Sequence, residues 1–225
     1  MRSSYYGGLS LQNARKSNMD SLLLKDRVIS GHKVCLAVVC DGVGSMADGA
    51  FAASYAVRML IDWLDQLESI QRIGLYLRDC ILSINRSILK EAQTRGLQTA
   101  STLSALLVTD GKYYIAHVGD SRIYSYQNNT LEMLTCDQVL DGKLAACLGR
   151  FEQVNIIYNE GMCENQIFLL CSDGFYKKMD MSYLQLQLSH LSKRSIKKTL
   201  ENLTQFVVKR GEKDNISLAL VICES

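Results

Sequence analysis

The segment TLSALLVTDGKYYIAHVGDSRIYSY, residues 102–126, constrains the fold more than any other part of the chain. It holds three apolar, β-rich runs, Thr102–Thr109, Lys112–Val118 and Arg122–Tyr126, with only two or three residues between one run and the next. A parallel crossover needs a dozen residues or more, so these runs have to pair antiparallel as hairpins. Asp110-Gly111, placed between the first two, reads as the hairpin turn itself and nothing else.

Further runs of the same kind lie at Val34–Cys40, Gln166–Cys171 and Ile216–Cys223, with weaker ones at Asp20–Val28, Leu131–Thr135 and Val154–Tyr158. Helical periodicity appears in three blocks. Ala47–Leu67 puts Ala53, Val57, Leu60, Ile61 and Leu64 on one face, and Ile73–Arg95 does the same with Leu77, Ile81, Ile84, Ile88 and Leu89. Ser192–Lys209 aligns Ile196, Leu200, Leu203 and Val207 before a stop at Gly211, and its basic run KRSIKK (193–198) reads as a solvated helix face. Strands outnumber helices, and the helices arrive in blocks. The predicted class is therefore α+β with a mainly antiparallel sheet system, in one domain over 1–225, because the chain has no proline and no flexible linker interrupts it.

Composition removes several functions. Lys+Arg 25 against Asp+Glu 23 leaves a net charge of +2, which does not favour nucleic acid. No apolar run reaches the roughly 18 residues of a membrane span, and the N-terminus lacks the apolar core of a secretion signal; a cytoplasmic location without membrane contact is expected. The eight cysteines never form CxxC, and most lie inside apolar runs such as VCLAVVC, so they read as reduced, buried hydrophobes. Three histidines, none paired with a cysteine at ligand spacing, make zinc a poor fit. Trp63 reads as a buried helix-face residue, and Tyr5 and Tyr6 as parts of a tethered N-terminal segment.

The chemistry concentrates where strands end. Asp41 and Asp173 each follow a strongly apolar run (CLAVVCDG, IFLLCSDG), Asp214 immediately precedes ISLALVIC, and Asp120 sits between two strands. Singly these are turn or cap residues; together they suggest a shared rim. Carboxylates brought within about 4 Å repel by roughly 4 kcal/mol per pair at an effective dielectric of 20, so such a rim needs cations. Oxygen-only ligation suits magnesium or manganese, and two such ions serve phosphate hydrolysis.

With these motifs in order, the chain resembles the type 2C metal-dependent protein serine/threonine phosphatases, in the compact form found in bacteria. RKSNMDSLLL (15–24) is similar to the family's R-x-x-N-E-D-S, VVCDGVGSMADG (38–49) to D-G-x-G-G and the helix after it, and ASTLSALLV (100–108) stands at G-T-T. HVGDSRIYSY (117–126) is similar to the G-D-S-R strand pair, LLCSDGF (169–175) to S-D-G, and EKDNISLALV (212–221) to the terminal D-N segment. The resemblance implies a four-layer αββα sandwich, two mainly antiparallel sheets flanked by helices, with the metal centre between the sheets. It implies Asp41 as the carboxylate bridging two Mn2+ or Mg2+ ions, the Gly42 carbonyl as a ligand, Asp173 and Asp214 on the first ion, Asp20 on an ion or its waters, and Asp120 at a third, weaker site. Arg15 would hold the substrate phosphate, with metal-activated water attacking in line. The implied partners are phosphorylated protein substrates and a serine/threonine kinase in the same pathway.

Five departures qualify the resemblance. Met19 replaces the family's Glu, Val43 stands where animal members carry a His, and Ser45 replaces the second Gly. Lys177 stands four residues after Asp173, where many members have an acid, which counts against a third ion. LTCDQVLDGKLAACLG (134–149) is short, so the flap beside the cleft is truncated. Met19 and the short flap are the grounds for the alternative of a weak or inactive module that binds phosphoproteins or a kinase. An enzyme acting on a small phosphorylated metabolite is a third reading.

Overall fold

The computed structural model describes residues 3–46 and 48–224. One sheet has the order β1-β12-β11-β6-β7, from β1 (Ser3–Leu11), β6 (Arg122–Gln127), β7 (Thr130–Met133), β11 (Gln166–Cys171) and β12 (Ile216–Glu224). The other has the order β10-β5-β4-β3-β2, from β2 (Ser21–Ile29), β3 (His32–Cys40), β4 (Leu103–Thr109), β5 (Lys112–Val118) and β10 (Ile157–Met162). Every pairing in both sheets is antiparallel.

Alternation along the strands explains the layers. In β3, Val34, Leu36, Val38 and Cys40 face α1 (Gly49–Gln66) and α2 (Ile73–Arg95), while Cys35, Ala37 and Val39 face the opposite sheet. In β12, Leu218, Leu220 and Ile222 face α4 (Met181–Ser189) and α5 (Ile196–Lys209), while Ala219, Val221 and Cys223 face β3 and its neighbours. Strands buried on both faces read as continuous apolar runs for this reason. Three apolar cores separate four layers: helices, sheet, sheet, helices. The expected sandwich is what forms.

The helical faces pack as the periodicity predicts, with Leu60 and Leu64 of α1, Leu77, Ile81, Ile84 and Ile88 of α2, and Leu200, Leu203 and Val207 of α5 all buried. Trp63 packs partly buried against the first core, and Tyr5 and Tyr6 are held in β1. Lys193, Arg194, Lys197 and Lys198 are exposed, so the basic run is a solvated face. All eight cysteines are free; six are buried, Cys80 is partly so and Cys136 is exposed.

Some boundaries move. The first helix starts at Gly49 behind an Asp48 cap whose side chain accepts from Phe51 N at 3.2 Å; Ala47, its expected first residue, lies outside the described residues. The helix expected from Ser192 begins at Ile196, after a turn over 192–195 closed by Ser195 N donating to Ser192 O at 2.9 Å. The strand expected at Val154–Tyr158 runs instead over Ile157–Met162, because pairing with His117–Lys112 of β5 sets its register. β1, α4 and the one-turn α3 (Asp173–Tyr176) were not expected from the sequence. The short flap is a hairpin of β8 (Val139–Leu140) and β9 (Lys143–Leu144), turning at Asp141-Gly142 with both residues at positive φ. No helix among the described residues is long and apolar enough to cross a membrane.

Candidate active site

The strand-end carboxylates do meet. A cleft of about 170 Å³ opens between the sheets at one end and is lined by Arg15, Met19, Asp41, Gly42, Asp120, Asp173 and Asp214, with Leu144 of the flap at its edge. Asp20, just before β2, lies behind this wall at 8% exposure, where Ser172 Oγ donates to its Oδ2 at 2.8 Å.

Two glycines make the convergence possible. A Cβ on Gly42 would meet the Gly49 carbonyl at 2.6 Å and Met19 O at 2.7 Å, so the loop after β3 passes this close to the start of α1 only with glycine. A Cβ on Gly174 would fall 2.0 Å from Asn215 O and 3.2 Å from Asp214 Cβ; its absence lets the turn after β11 rest on the segment before β12 and sets Asp173 beside Asp214. The two Asp-Gly pairs that follow apolar strands are thus points of backbone crossing, unlike the hairpin turns at Asp110 and Asp141.

Charge is distributed unevenly over the cleft. Burial, reinforced by the nearby Asp20, Asp173 and Asp120, pushes the Asp41 carboxyl well above its ordinary range. Asp20 is pushed up to about 6, chiefly by burial and against hydrogen bonds from Ser217 and Ser172. Asp120 also rises to about 6 through burial and then the charges of Asp173 and Asp137. Burial acts on Asp214 too, but Arg15 and the Asn215 amide outweigh it and hold that carboxyl below its ordinary value. Arg15 grips Asp214 with a fork, Nε to Oδ1 at 2.7 Å and Nη2 to Oδ2 at 2.6 Å. Lys177 Nζ, four residues further along the chain, donates a single hydrogen bond to Asp173 Oδ2. Among the described residues no three acid, imidazole or thiol groups converge on one ligation point, which accords with two of the carboxylates being turned toward basic side chains.

Several positioning residues escaped the sequence reading. Asn215 donates to Gln12 O and Ser17 O and accepts from Met19 N, at 2.8, 3.0 and 2.9 Å, and so staples the loop that carries Arg15. Thr102 Oγ1 accepts from the Asp41 amide at 2.9 Å. Gln138 ties the flap to the Asp120 loop, its Oε1 accepting from Gly119 N at 2.7 Å and its backbone N–H donating to Gly119 O at 2.8 Å. The D-N pair and the G-T-T-like segment were visible signals for the first two; Gln138 had none.

Residues 12–217 match the family model of protein phosphatase 2C. The chain belongs to the protein phosphatase 2C family. Within it, this 2C chain is 31% identical over 214 residues to the serine/threonine phosphatase stp of Listeria welshimeri, with 83% of each chain covered. It is 28% identical over 210 residues to the protein phosphatase PhpP of Streptococcus pneumoniae, covering 83% of this chain and 85% of that one. Among solved structures, PppA of Pseudomonas aeruginosa superposes with a TM-score of 0.82 at 27% identity, over 98% of this chain and 100% of that one. The catalytic domain of the phosphatase PstP, solved with two manganese ions, gives 0.88 at 18% identity over 100% of both chains, a likeness of fold.

The 2C residues present fit a hard divalent cation. The carboxylates lining the cleft offer oxygens, the Gly42 backbone sits among them, and the raised Asp41 and Asp20 are carboxylates in want of positive charge.

Proposed function

We propose that this chain, as one catalytic domain, hydrolyses phosphoserine and phosphothreonine on proteins with two manganese or magnesium ions in the cleft. The observation that carries the reading is the Asp41–Asp20 pair, two raised carboxylates at the cleft to which no Lys or Arg bonds among the described residues. A fold does not keep such a pair for stability, since each uncompensated charge costs folding energy. The names of the Listeria and Streptococcus relatives and the two manganese ions of the PstP domain support the same reading.

Asp41, with the Gly42 carbonyl and Asp20, would hold one ion, and Asp41, Asp173 and Asp214 the other. Bound there, the ions supply an acidified water as nucleophile and neutralise charge on the phosphoryl oxygens. Arg15 presents the phosphate site. Its guanidinium is half exposed at the cleft mouth and has the planar fork that matches phosphoryl oxygens once it leaves Asp214. Asn215 holds the Arg15 loop, and Thr102 fixes the Asp41 backbone, so both groups enter the reaction pre-positioned. Substrates are phosphorylated segments of proteins, made by a serine/threonine kinase of the same pathway, and the setting is the cytoplasm.

Phosphate release from a phosphothreonine peptide, with manganese, magnesium or chelator, tests this beside Asp173→Asn. Metal-dependent turnover that the variant loses is the expected result. Turnover indifferent to chelator, or retained in the variant, would sink it; metal binding without turnover would favour the phosphoprotein-binding alternative.

A further inference from the structure

Lys177 has a place in this site that rests on the phosphatase reading and goes beyond it. α3 is one turn long, beginning at Asp173 and closed by the Lys177 amide donating to Asp173 O at 3.1 Å. Spacing of i to i+4 folds the lysine back over the carboxylate, and its Nζ bonds Asp173 Oδ2. The charge of the ammonium also favours the ionised forms of Asp120 and Asp214, although burial and the charges of Asp173 and Asp137 still leave the Asp120 carboxyl raised. The turn beneath it is braced: the Arg122 guanidinium lies 3.6 Å above the Tyr176 ring and is itself forked onto Asp137 through Nε at 3.0 Å and Nη2 at 2.7 Å. The Asp173–Asp120 edge of the cleft therefore carries a cation of the chain's own, whereas among the described residues no Lys or Arg bonds Asp41 or Asp20.

We propose that the Lys177 ammonium serves as a built-in counterion between Asp173 and Asp120, so that the cleft takes up two divalent ions and no third beside Asp120. A tethered charge offsets part of the negative charge of that edge at any metal concentration, which a weakly held ion cannot do. Lys177 is a positioning residue, since it acts through Asp173 and Asp120 and does not touch the substrate.

Equilibrium dialysis with manganese, followed by elemental analysis, tests the stoichiometry in wild type, Lys177→Arg, Lys177→Gln and Lys177→Asp. Two ions per chain are expected for wild type and Lys177→Arg. Lys177→Asp should bind three, the added one more weakly, and Lys177→Gln should show the same third ion at still higher manganese. Adding Asp120→Asn to Lys177→Asp should return the count to two. Should Lys177→Asp fail to fold, judged by circular dichroism, the Gln and Arg variants carry the comparison. Three ions in wild type, or two in both Lys177→Gln and Lys177→Asp, would overturn the inference while leaving the phosphatase reading intact. A wild-type chain that binds no manganese and releases no phosphate would overturn both.

Discussion

Asp214 and Asp41 are carboxylates of one cleft with opposite electrostatic fates. Asp214 is forked by Arg15 and holds its proton less tightly than an ordinary aspartate, while Asp41, beside Asp20, Asp173 and Asp120, holds its proton far more tightly. Both sit where a strand meets a loop, and both belong to an acid-plus-small-residue pair. The difference lies in what the rest of the chain brings to them. Stability accounts for a charge with a partner, whereas a charge without one points to a ligand from outside.

The largest effect that would break this comparison is expected from Asp41→Asn. Phosphatase activity should fall by about 10²–10³-fold or more, the scale of removing one preorganised electrostatic group. The same substitution should raise the melting temperature of the metal-free protein, because it removes an uncompensated charge. Asp214→Asn should lower it, because Arg15 loses its fork. Melting shifts of the same sign in the two variants would mean that the division between the carboxylates is wrong.

Metal loading comes next. At 100 times its dissociation constant, manganese should stabilise the wild-type chain by about 2.7 kcal/mol, which for a domain of this size is roughly 5–11 °C in a thermal melt. Asp41→Asn should lose most of that shift. A wild-type melt unmoved by millimolar manganese would count heavily against the site.

Arg15→Ala should reduce kcat/KM for a phosphothreonine peptide by about 10–100-fold, from the 1.5–3 kcal/mol of charged hydrogen bonds. Arg15→Lys should recover only part of it, since a lysine lacks the fork. Loss confined to kcat, with KM unchanged, would assign Arg15 to a step other than phosphate binding.

How much of this was legible beforehand depended on burial. Strands buried on both faces, such as β3, β4 and β12, announce themselves as apolar runs, and so do the amphipathic helices. β1 escaped because SSYYGGLSL alternates little and carries two glycines, which fit only because Gly7 and Gly8 pack under Ile196 and against Leu22 and Leu24. The one-turn α3 has no room for periodicity. In the site, Asp20, Asp41, Asp120, Asp173 and Asp214 could be named from their places at strand ends and from motif order. The pairing of Arg15 with Asp214 could not, because 199 residues separate them and the β1–β12 pairing, which ends with Leu11 opposite Ile216, brings their loops together with the hydrogen bonds of Asn13 and Asn215.

The smallest predicted effect is a pH dependence of the metal-free protein, and its sign tests the comparison most directly. Asp120 and Asp20 release their protons near pH 6 in the fold, against an ordinary value of 3.8. Between those values the folded chain holds more protons than the unfolded one, so stability falls as pH rises from about 4 to above about 6. Asp214 works the other way: its contribution is present above the ordinary carboxylate value and is lost only on going more acid. With metal chelated, the melting temperature should therefore decline across that window, less steeply in Asp120→Asn, where the raised Asp41 and Asp20 remain, and less steeply again with saturating manganese. A metal-free melting temperature that climbs from pH 4 to pH 6 would mean that carboxylates held low like Asp214, and not the raised ones, dominate the electrostatics of the cleft.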